Sequence, residues 1–359
     1  QAALFQALRE LGYRVKAQNG NDKLPVKIFG GRDDFHGVPG QTGNKWDAVE
    51  RVPTTRSCTV SIEESSQFAS ALLLCAVTGN WKIKIVGENA EESPYVAMTS
   101  MLMETFPRRG GKFQIEADAS SASYFWAAAQ IDFSGEERLG ETIHWLAAEK
   151  NFSVRISSWR SSGFQIDENF FWILVRLMRN SPFVQKPDSE EAFRKLCADG
   201  NSAVSAKPKD ITPEQISRCK DLGDSIMTVI TLAPFAVQPI KFTDLARLRV
   251  QECERVFALK TELTKCGAKV IETGDTLTVF PSKLHGAEIE TYNDHRMAMC
   301  FAILGLKVPG IKIKNPACVK KTFPNFFQKL TAQPPHGLGA KILDGKTGRP
   351  LTDEELFAE

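Results

Sequence analysis

The chain has 359 residues, of which 42% are hydrophobic and 25% are charged, and its formal net charge is +2. This is the composition of a globular protein long enough for two domains, and the near-neutral charge argues against nucleic acid or a membrane surface as a partner recognised by bulk charge. No apolar run approaches the roughly 20 residues that span a bilayer, so we expect no transmembrane helix.

The eight cysteines are scattered, without CxxC pairs or a cluster with histidine. Several stand in apolar runs, Cys75 and Cys300 among them, which predicts reduced, buried thiols rather than disulfides or a zinc site. We therefore expect a reducing compartment, the cytoplasm or a plastid. The chain opens at Gln1 inside an amphipathic helical pattern (Leu4, Leu8 and Leu11), so we expect it to be the remainder of a longer polypeptide.

One pattern recurs along the chain: a strand-like run, a polar cap, an Ala-rich helix and a second strand. Its four copies predict strands at 59–62, 82–86, 113–116, 239–242, 287–290 and 311–314, and helices at 68–77, 122–131, 225–233 and 295–306. Longer amphipathic helices are predicted at 95–105, 170–179 and 253–266, and inserted loops at 134–150 and 186–212. Such a repeat favours a pseudo-symmetric α/β architecture whose capped helix ends converge and attract anions.

The segment 291–299 concentrates anion-binding and proton-moving side chains ahead of an apolar helix. The Asp294 carboxylate can cap that helix, and His295 and Arg296 then stand where the helix dipole favours an anion. A plain structural cap beside a chance His-Arg pair is the alternative for this motif taken alone.

Five ordered segments resemble the 5-enolpyruvylshikimate-3-phosphate (EPSP) synthase family: SSQF at 65–68, DASSASYF at 118–125, RVQECER at 249–255, DHRMAM at 294–299 and CVKKTFP at 318–324. The last two are close to diagnostic. The resemblance implies a two-domain α/β fold built from repeated βαβαββ units, an inside-out α/β barrel, with an incomplete N-terminal domain. On this basis we expect a partial N-terminal domain at 1–116 on the shikimate 3-phosphate side, a C-terminal domain at 117–331 with the phosphoenolpyruvate cations and acid/base groups, and an appended tail at 332–359.

The resemblance also implies an activity, namely transfer of the enolpyruvyl group of phosphoenolpyruvate to the 5-hydroxyl of shikimate 3-phosphate with release of phosphate. It implies no metal, no cofactor, small-molecule partners only and a monomer. Two alternatives to this activity stay open. In the first, the chain is a non-catalytic descendant that acts as a binding module. In the second, it is an enolpyruvyl transferase for a different alcohol acceptor.

The matching positions imply roles for twelve residues. Asp224, Glu252 and His295 are the expected catalytic groups. The phosphoenolpyruvate-binding residues are Gln67, Arg255, Arg296 and Lys321, and those of shikimate 3-phosphate are Ser65, Ser66, Gln67, Tyr95, Asp224, Arg247 and Gln251. The chemistry needs these types, because a phosphate and a carboxylate require several cations, and addition to the enol requires one proton delivered and one removed.

Three positions depart from the family pattern. Gln251 replaces a lysine, which removes a cation. Arg247 replaces an asparagine, and in our interpretation it restores that cation. Glu92 stands for a serine and would repel a phosphate unless its loop turns away. The family's opening region, with its Lys-Ser pair and glycine-rich segment, has no counterpart, so we expect about two of the three units of the N-terminal domain and exposed apolar faces if Gln1 is the true start.

Overall fold

The computed structural model describes residues 1–29, 56–89, 92–107, 109–131, 154, 156–159, 162–178 and 214–359. The chain divides into two compact units, Gln1–Phe113 and Gln114–Glu359. The loops predicted at 134–150 and 186–212 lie outside the described residues, and the roles predicted for the two domains stay predictions. Within the described ranges, no helix combines the length and the apolarity needed to cross a membrane.

The described part of the first unit combines short sheets with three helices. In chain order its elements are α1 (Ala2–Glu10), β1 (Arg14–Ala17), β2 (Val26–Phe29), β3 (Arg56–Ser61), α2 (Ser66–Gly79), β4 (Trp81–Val86) and α3 (Ser93–Thr105). β1 and β2 are antiparallel, and β3 and β4 are parallel. Cys58 and Val60 are two positions apart on β3, so both lie on the same face of this sheet. That face packs against α1 and α2, where Leu11 and Leu72 complete a small core.

The strand predicted at 113–116 is wrong, because these residues lie in no strand and Ile115 is 75% exposed. Gly110 and Gly111 precede them with positive φ, so the chain turns away before it could extend a sheet. The prediction that Cys75 is buried is also wrong. Its thiol is exposed on α2 beside the solvent-facing Leu74, while Leu72 faces the core.

The second unit contains one complete βαβαββ unit. It consists of β5 (Gln215–Ser217), α6 (Ile226–Leu232), β6 (Ile240–Thr243), α7 (Arg255–Lys265), β7 (Val270–Thr273) and β8 (Thr276–Val279), which follow α4 (Ala119–Gln130), a 3-10 turn (Ile166–Asn169) and α5 (Phe170–Met178). The strand order is β5-β6-β8-β7, with β5 parallel to β6 and β8 antiparallel to both of its neighbours. The expected repeat is therefore present in full here.

The last part of the second unit contains one long buried helix. Its elements are β9 (Glu288–Ile289), α8 (His295–Gly305), β10 (Lys312–Ile313), a 3-10 helix (Pro316–Lys321) and α9 (Phe326–Thr331). β9 precedes α8 in the chain, β10 follows it, and the two strands pair in parallel. α8 packs against α4, α6 and α7. The 332–359 segment packs on the same core through Leu338, Leu356 and Ala358, so it is a structured part of this unit.

Candidate functional site

The N-terminus of α8 is built by a sharp turn and an aspartate cap. Tyr292 and Asn293 have φ of 54° and 56°, left-handed values that non-glycine residues adopt at a cost. They deliver Asp294 in an extended conformation, and its side chain accepts a hydrogen bond from the Arg296 N–H at 2.8 Å. The predicted cap is confirmed.

Asp294 also neutralises a buried arginine. Arg255, at the start of α7, donates from Nε to Asp294 Oδ2 at 2.6 Å and from Nη2 to Asp294 Oδ1 at 3.3 Å. The Asp294 side chain is fully buried, and that of Arg255 is 2% exposed. Burial disfavours the charged carboxylate, but the hydrogen bonds and charge of Arg255 outweigh burial and lower the pKa of Asp294. One carboxylate therefore fixes both α7 and α8 at this point.

The Asp224 carboxylate lies among three arginines. Arg218 Nη2 is 2.9 Å from Oδ1, Arg296 Nη2 is 3.3 Å from Oδ2, and Arg255 Nη1 is 3.8 Å from Oδ2. Burial alone would raise the pKa of Asp224, but the charges of Arg296, Arg218 and Arg255 lower it far below its ordinary range. Asp224 is therefore ionised at neutral pH.

Arg296 connects α8 to α4. Its Nη1 donates to the Ser120 hydroxyl at 2.6 Å and to the Tyr124 hydroxyl at 3.5 Å. Burial opposes its charge, yet Asp224 and Tyr124 raise the pKa of Arg296 above its ordinary value. The two sequence segments at 118–125 and 294–299 thus meet through this guanidinium.

His295 is buried at the first position of α8. Its Nδ1 lies 3.8 Å from Asp294 Oδ1. Burial, followed by the charge of Arg296, lowers the pKa of His295 to about 4, against which the attraction of Asp294 is insufficient. The imidazole is therefore neutral at pH 7 and can donate or accept one hydrogen bond without bringing a charge.

Gln251, Glu252 and Lys321 extend the cluster toward solvent. Gln251 Oε1 accepts from Arg255 Nη1 at 3.0 Å, and the exposed Lys321 ammonium pairs with the Glu252 carboxylate. Glu252 has a φ of 51°, a left-handed backbone that costs about 1–3 kcal/mol and is common at functional sites. The structure thus brings Asp224, Arg255 and Arg296 together. Arg247 is half-buried on the 3-10 turn Ala246–Arg249.

The cluster is rich in arginines, but its charges are close to balanced. Four cations, Arg218, Arg255, Arg296 and Lys321, stand with the carboxyl groups of Asp224, Asp294, Glu252 and the buried Asp167. The positive end of the α8 dipole favours an anionic ligand beside these cations. Among the described residues, no group of three or more His, Cys, Asp or Glu side chains could hold a metal ion.

The predicted residues of the first unit surround the N-terminus of α2. The Ser65 hydroxyl caps this helix by accepting from the Gln67 N–H at 3.2 Å, and the Gln67 side chain is exposed. The Ser66 N–H donates to the carboxylate of Glu92 at 2.6 Å. The Glu92 loop therefore does not turn away from this helix end. Tyr95 is half-buried on the first turn of α3.

Sequence reasoning missed two groups that hold Asp224 in place. Arg218 is buried and touches the carboxylate directly, as described above. Asp167 accepts hydrogen bonds from the N–H groups of Gly223 and Ser225, at 2.8 and 3.1 Å, and from the Ser225 hydroxyl, so it fixes the loop on both sides of Asp224. No periodicity or motif marks either residue.

Comparisons with known proteins show which family the chain resembles. A family model described as EPSP synthase (3-phosphoshikimate 1-carboxyvinyltransferase) matches residues 190–330. The 3-phosphoshikimate 1-carboxyvinyltransferase of Proteus mirabilis is 32% identical over 351 residues, which cover 92% of this chain and 69% of the relative. The chloroplastic 3-phosphoshikimate 1-carboxyvinyltransferase of Solanum lycopersicum is 30% identical over 356 residues, covering 93% of this chain and 59% of the relative.

A solved EPSP synthase from Acinetobacter baumannii aligns with 91% of this chain and 68% of its own, with a TM-score of 0.54 and 18% sequence identity. This similarity shows the fold, and the predicted two-domain enolpyruvyl transferase architecture is confirmed. The chain spans between 58% and 60% of the length of four other bacterial relatives. With 32% identity across 69% of the Proteus relative, the chain belongs to the EPSP synthase family.

Proposed function

We propose that this chain is an enolpyruvyl transferase that moves the enolpyruvyl group of phosphoenolpyruvate to the 5-hydroxyl of shikimate 3-phosphate and releases phosphate. The observation that carries the proposal is the set of three arginines around Asp224 at the N-terminus of α8. A small ligand with a phosphate and a carboxylate needs several cations in one place, and fixed arginines suit both groups because they bind them in a bidentate way.

In this proposal the cations of the second unit bind phosphoenolpyruvate. Arg296 and Lys321 are the most available of them, because Arg296 is partly exposed and Lys321 is exposed and, among the described residues, is paired with Glu252 alone. Arg255 is committed to Asp294, so it contributes mainly through its charge. Before substrate binds, the internal ion pairs lower the free-energy cost of burying these cations. When the anion binds, the cations would exchange these internal pairs for pairs with the ligand.

Addition to the enol requires a proton at the methylene carbon and loss of a proton from the attacking hydroxyl. Asp224, ionised at neutral pH, serves as the acceptor that orients this hydroxyl. Glu252 exchanges the proton with the methylene, since it is partly exposed and is held by a lysine that can release it to a substrate. His295, neutral at pH 7, donates a hydrogen bond near the phosphate. Collapse of the adduct then returns a proton of the new methyl group to Glu252, expels phosphate and forms the enol ether.

Residues of the first unit bind the acceptor in this proposal. Ser65, Ser66 and Gln67 at the N-terminus of α2, together with Tyr95, are assigned to shikimate 3-phosphate because a helix N-terminus with hydroxyl groups is a site for phosphate. Arg247 and Gln251 complete the assignment. We place the protein in the cytoplasm, with a plastid as the alternative suggested by the chloroplastic relative, and we propose that it acts as a monomer.

Phosphate release from phosphoenolpyruvate and shikimate 3-phosphate tests the proposal. We expect turnover by the 359-residue chain and a loss of at least about a hundredfold in kcat/KM for Arg296→Gln, which corresponds to about 2.7 kcal/mol of transition-state stabilisation. Arg349→Gln is the matched control, since the Arg349 side chain is exposed and pairs with Glu355 in the 332–359 segment. Absence of turnover, with calorimetry showing that neither substrate binds, would favour a non-catalytic role.

A further inference from the structure

The N-terminus of α2 already holds an anion that belongs to the protein. Glu92 lies 26 residues after Ser66 and sends its carboxylate to the Ser66 N–H at 2.6 Å. Both residues are 4% exposed, so this contact is buried. The Ser65 hydroxyl takes the next amide, that of Gln67. Two donors of the first turn are therefore used by internal acceptors.

Charge and position make this carboxylate a competitor for any anionic ligand at the same helix end. The positive end of a helix dipole favours one anion within its first turn, and a second anion at the same amides meets like-charge repulsion and finds the donors occupied. The Glu92 backbone is fixed as the residue that precedes α3, with Pro94 in the first turn of that helix. Glu92 therefore has to swing away as a side chain before a phosphate can take its place.

From this geometry we infer that Glu92 sets the acceptor specificity of the chain, by occupying the position at which the phosphate of the acceptor would bind. The inference rests on the proposed function, which assigns Ser65 and Ser66 to shikimate 3-phosphate. The native chain binds a phosphorylated acceptor weakly and discriminates little between it and the same alcohol without phosphate. Removal of the Glu92 charge restores the preference for the phosphorylated form.

Calorimetric titrations with shikimate 3-phosphate and with shikimate isolate the contribution of the phosphate, because the two ligands differ in that group alone. We compare the native chain with Glu92→Gln, which keeps an amide acceptor for the Ser66 N–H, and with Glu92→Ala, which vacates the position. Glu104→Gln is the matched control, since it removes the same charge from an exposed position at the other end of α3.

We expect at least one of the Glu92 variants to lower the Kd for shikimate 3-phosphate about tenfold or more, equivalent to about 1.4 kcal/mol. The Kd for shikimate should change less than twofold, and Glu104→Gln should match the native chain. If Glu92→Ala unfolds, Glu92→Gln still decides the question. The inference is overturned if both variants keep the native Kd for shikimate 3-phosphate, bind neither ligand, or gain equally for both ligands.

Turnover separates this inference from the proposed function. If the native chain releases phosphate but the Glu92 variants bind shikimate 3-phosphate no more tightly, the inference about Glu92 is contradicted and the proposed function is not. Tighter binding of shikimate 3-phosphate by the variants, without enolpyruvyl transfer by any of them, would support the role of Glu92 and contradict the proposed function.

Discussion

Replacement of Asp294 by asparagine separates its two roles, capping α8 and neutralising Arg255. The amide oxygen of the introduced asparagine can still accept from the Arg296 N–H, because asparagine caps helices about as well as aspartate. The negative charge is lost, and Arg255 stays buried at 2% exposure with a neutral partner. Its remaining carboxylate is Asp224, at 3.8 Å, which already faces Arg218 and Arg296.

The expected cost of Asp294→Asn is therefore that of breaking a buried ion pair from one side, about 3–5 kcal/mol. Asp118→Asn is the matched control, since Asp118 caps α4 in the same way, by accepting from the Ser120 N–H at 3.0 Å, but is exposed to solvent. We expect the control to cost less than about 0.5 kcal/mol. Because natural domains are stable by about 5–15 kcal/mol, the first variant should still fold.

Urea denaturation followed by tryptophan fluorescence measures both free energies of unfolding. The double variant Asp294→Asn/Arg255→Met adds a decisive comparison, because removing the second charge should recover part of the loss if an uncompensated guanidinium is its cause. A loss for Asp294→Asn as small as that of the control would refute the reasoning. The reasoning would also be refuted if the double variant were less stable than Asp294→Asn by as much as an independent substitution in the core would cost.

Three further outcomes follow from the same cluster. The pKa of His295 is lowered from 6.5 to about 4, so between these pH values the unfolded chain binds a proton and the folded chain does not. The free energy of unfolding should therefore fall by up to about 3 kcal/mol as the pH drops from 6.5 to 4. Denaturation series at several pH values should show this slope, and His295→Gln should flatten it; an unchanged slope would contradict the assignment. Arg218→Met should raise the pKa of Asp224 toward 3.8, because Arg218 contributes its charge and a hydrogen bond to the carboxylate. NMR titration of the carboxyl group measures this pKa, and no change would mean that Arg296 and Arg255 are enough to keep it low. Glu252→Gly should be more stable to urea than Glu252→Ala by about 1 kcal/mol, because only glycine tolerates the φ of 51° without strain; equal stabilities would show that the backbone relaxes.

Local features of the sequence predicted the helices and the cap. The signals for α2, α4 and α8 lie within a few residues of each helix start, where Ser65, Asp118 and Asp294 each accept from a first-turn N–H group. Capping depends on neighbours in sequence, so it can be inferred without the fold. The strand at 113–116 failed for the opposite reason, because a strand needs a partner and its residues alone do not supply one.

Long-range pairing could not be inferred from the residues themselves. Arg255 and Asp294 are 39 positions apart, and Asp167 reaches Ser225 across 58 positions. The family resemblance marked Arg255 and Asp224 as residues of interest, but it gave no partner for either, and Arg218 carried no signal at all. The β7–β8 hairpin was also missed, since its two four-residue strands are too short for periodicity to stand out.

Asp224 shows how stability and chemistry constrain each other in this cluster. Three arginines near one another would repel unless a carboxylate lay among them, so Asp224 and Asp294 stabilise the arrangement of arginines that we propose binds an anion. The same arginines hold the pKa of Asp224 far below neutrality, whereas an efficient general base has a pKa near the working pH. A proton taken from a hydroxyl cannot stay on such a carboxylate. In the proposed reaction Asp224 would therefore align the hydroxyl and stabilise the developing charge of the transition state, and the proton would pass on to solvent or to a group of higher pKa as the new bond forms.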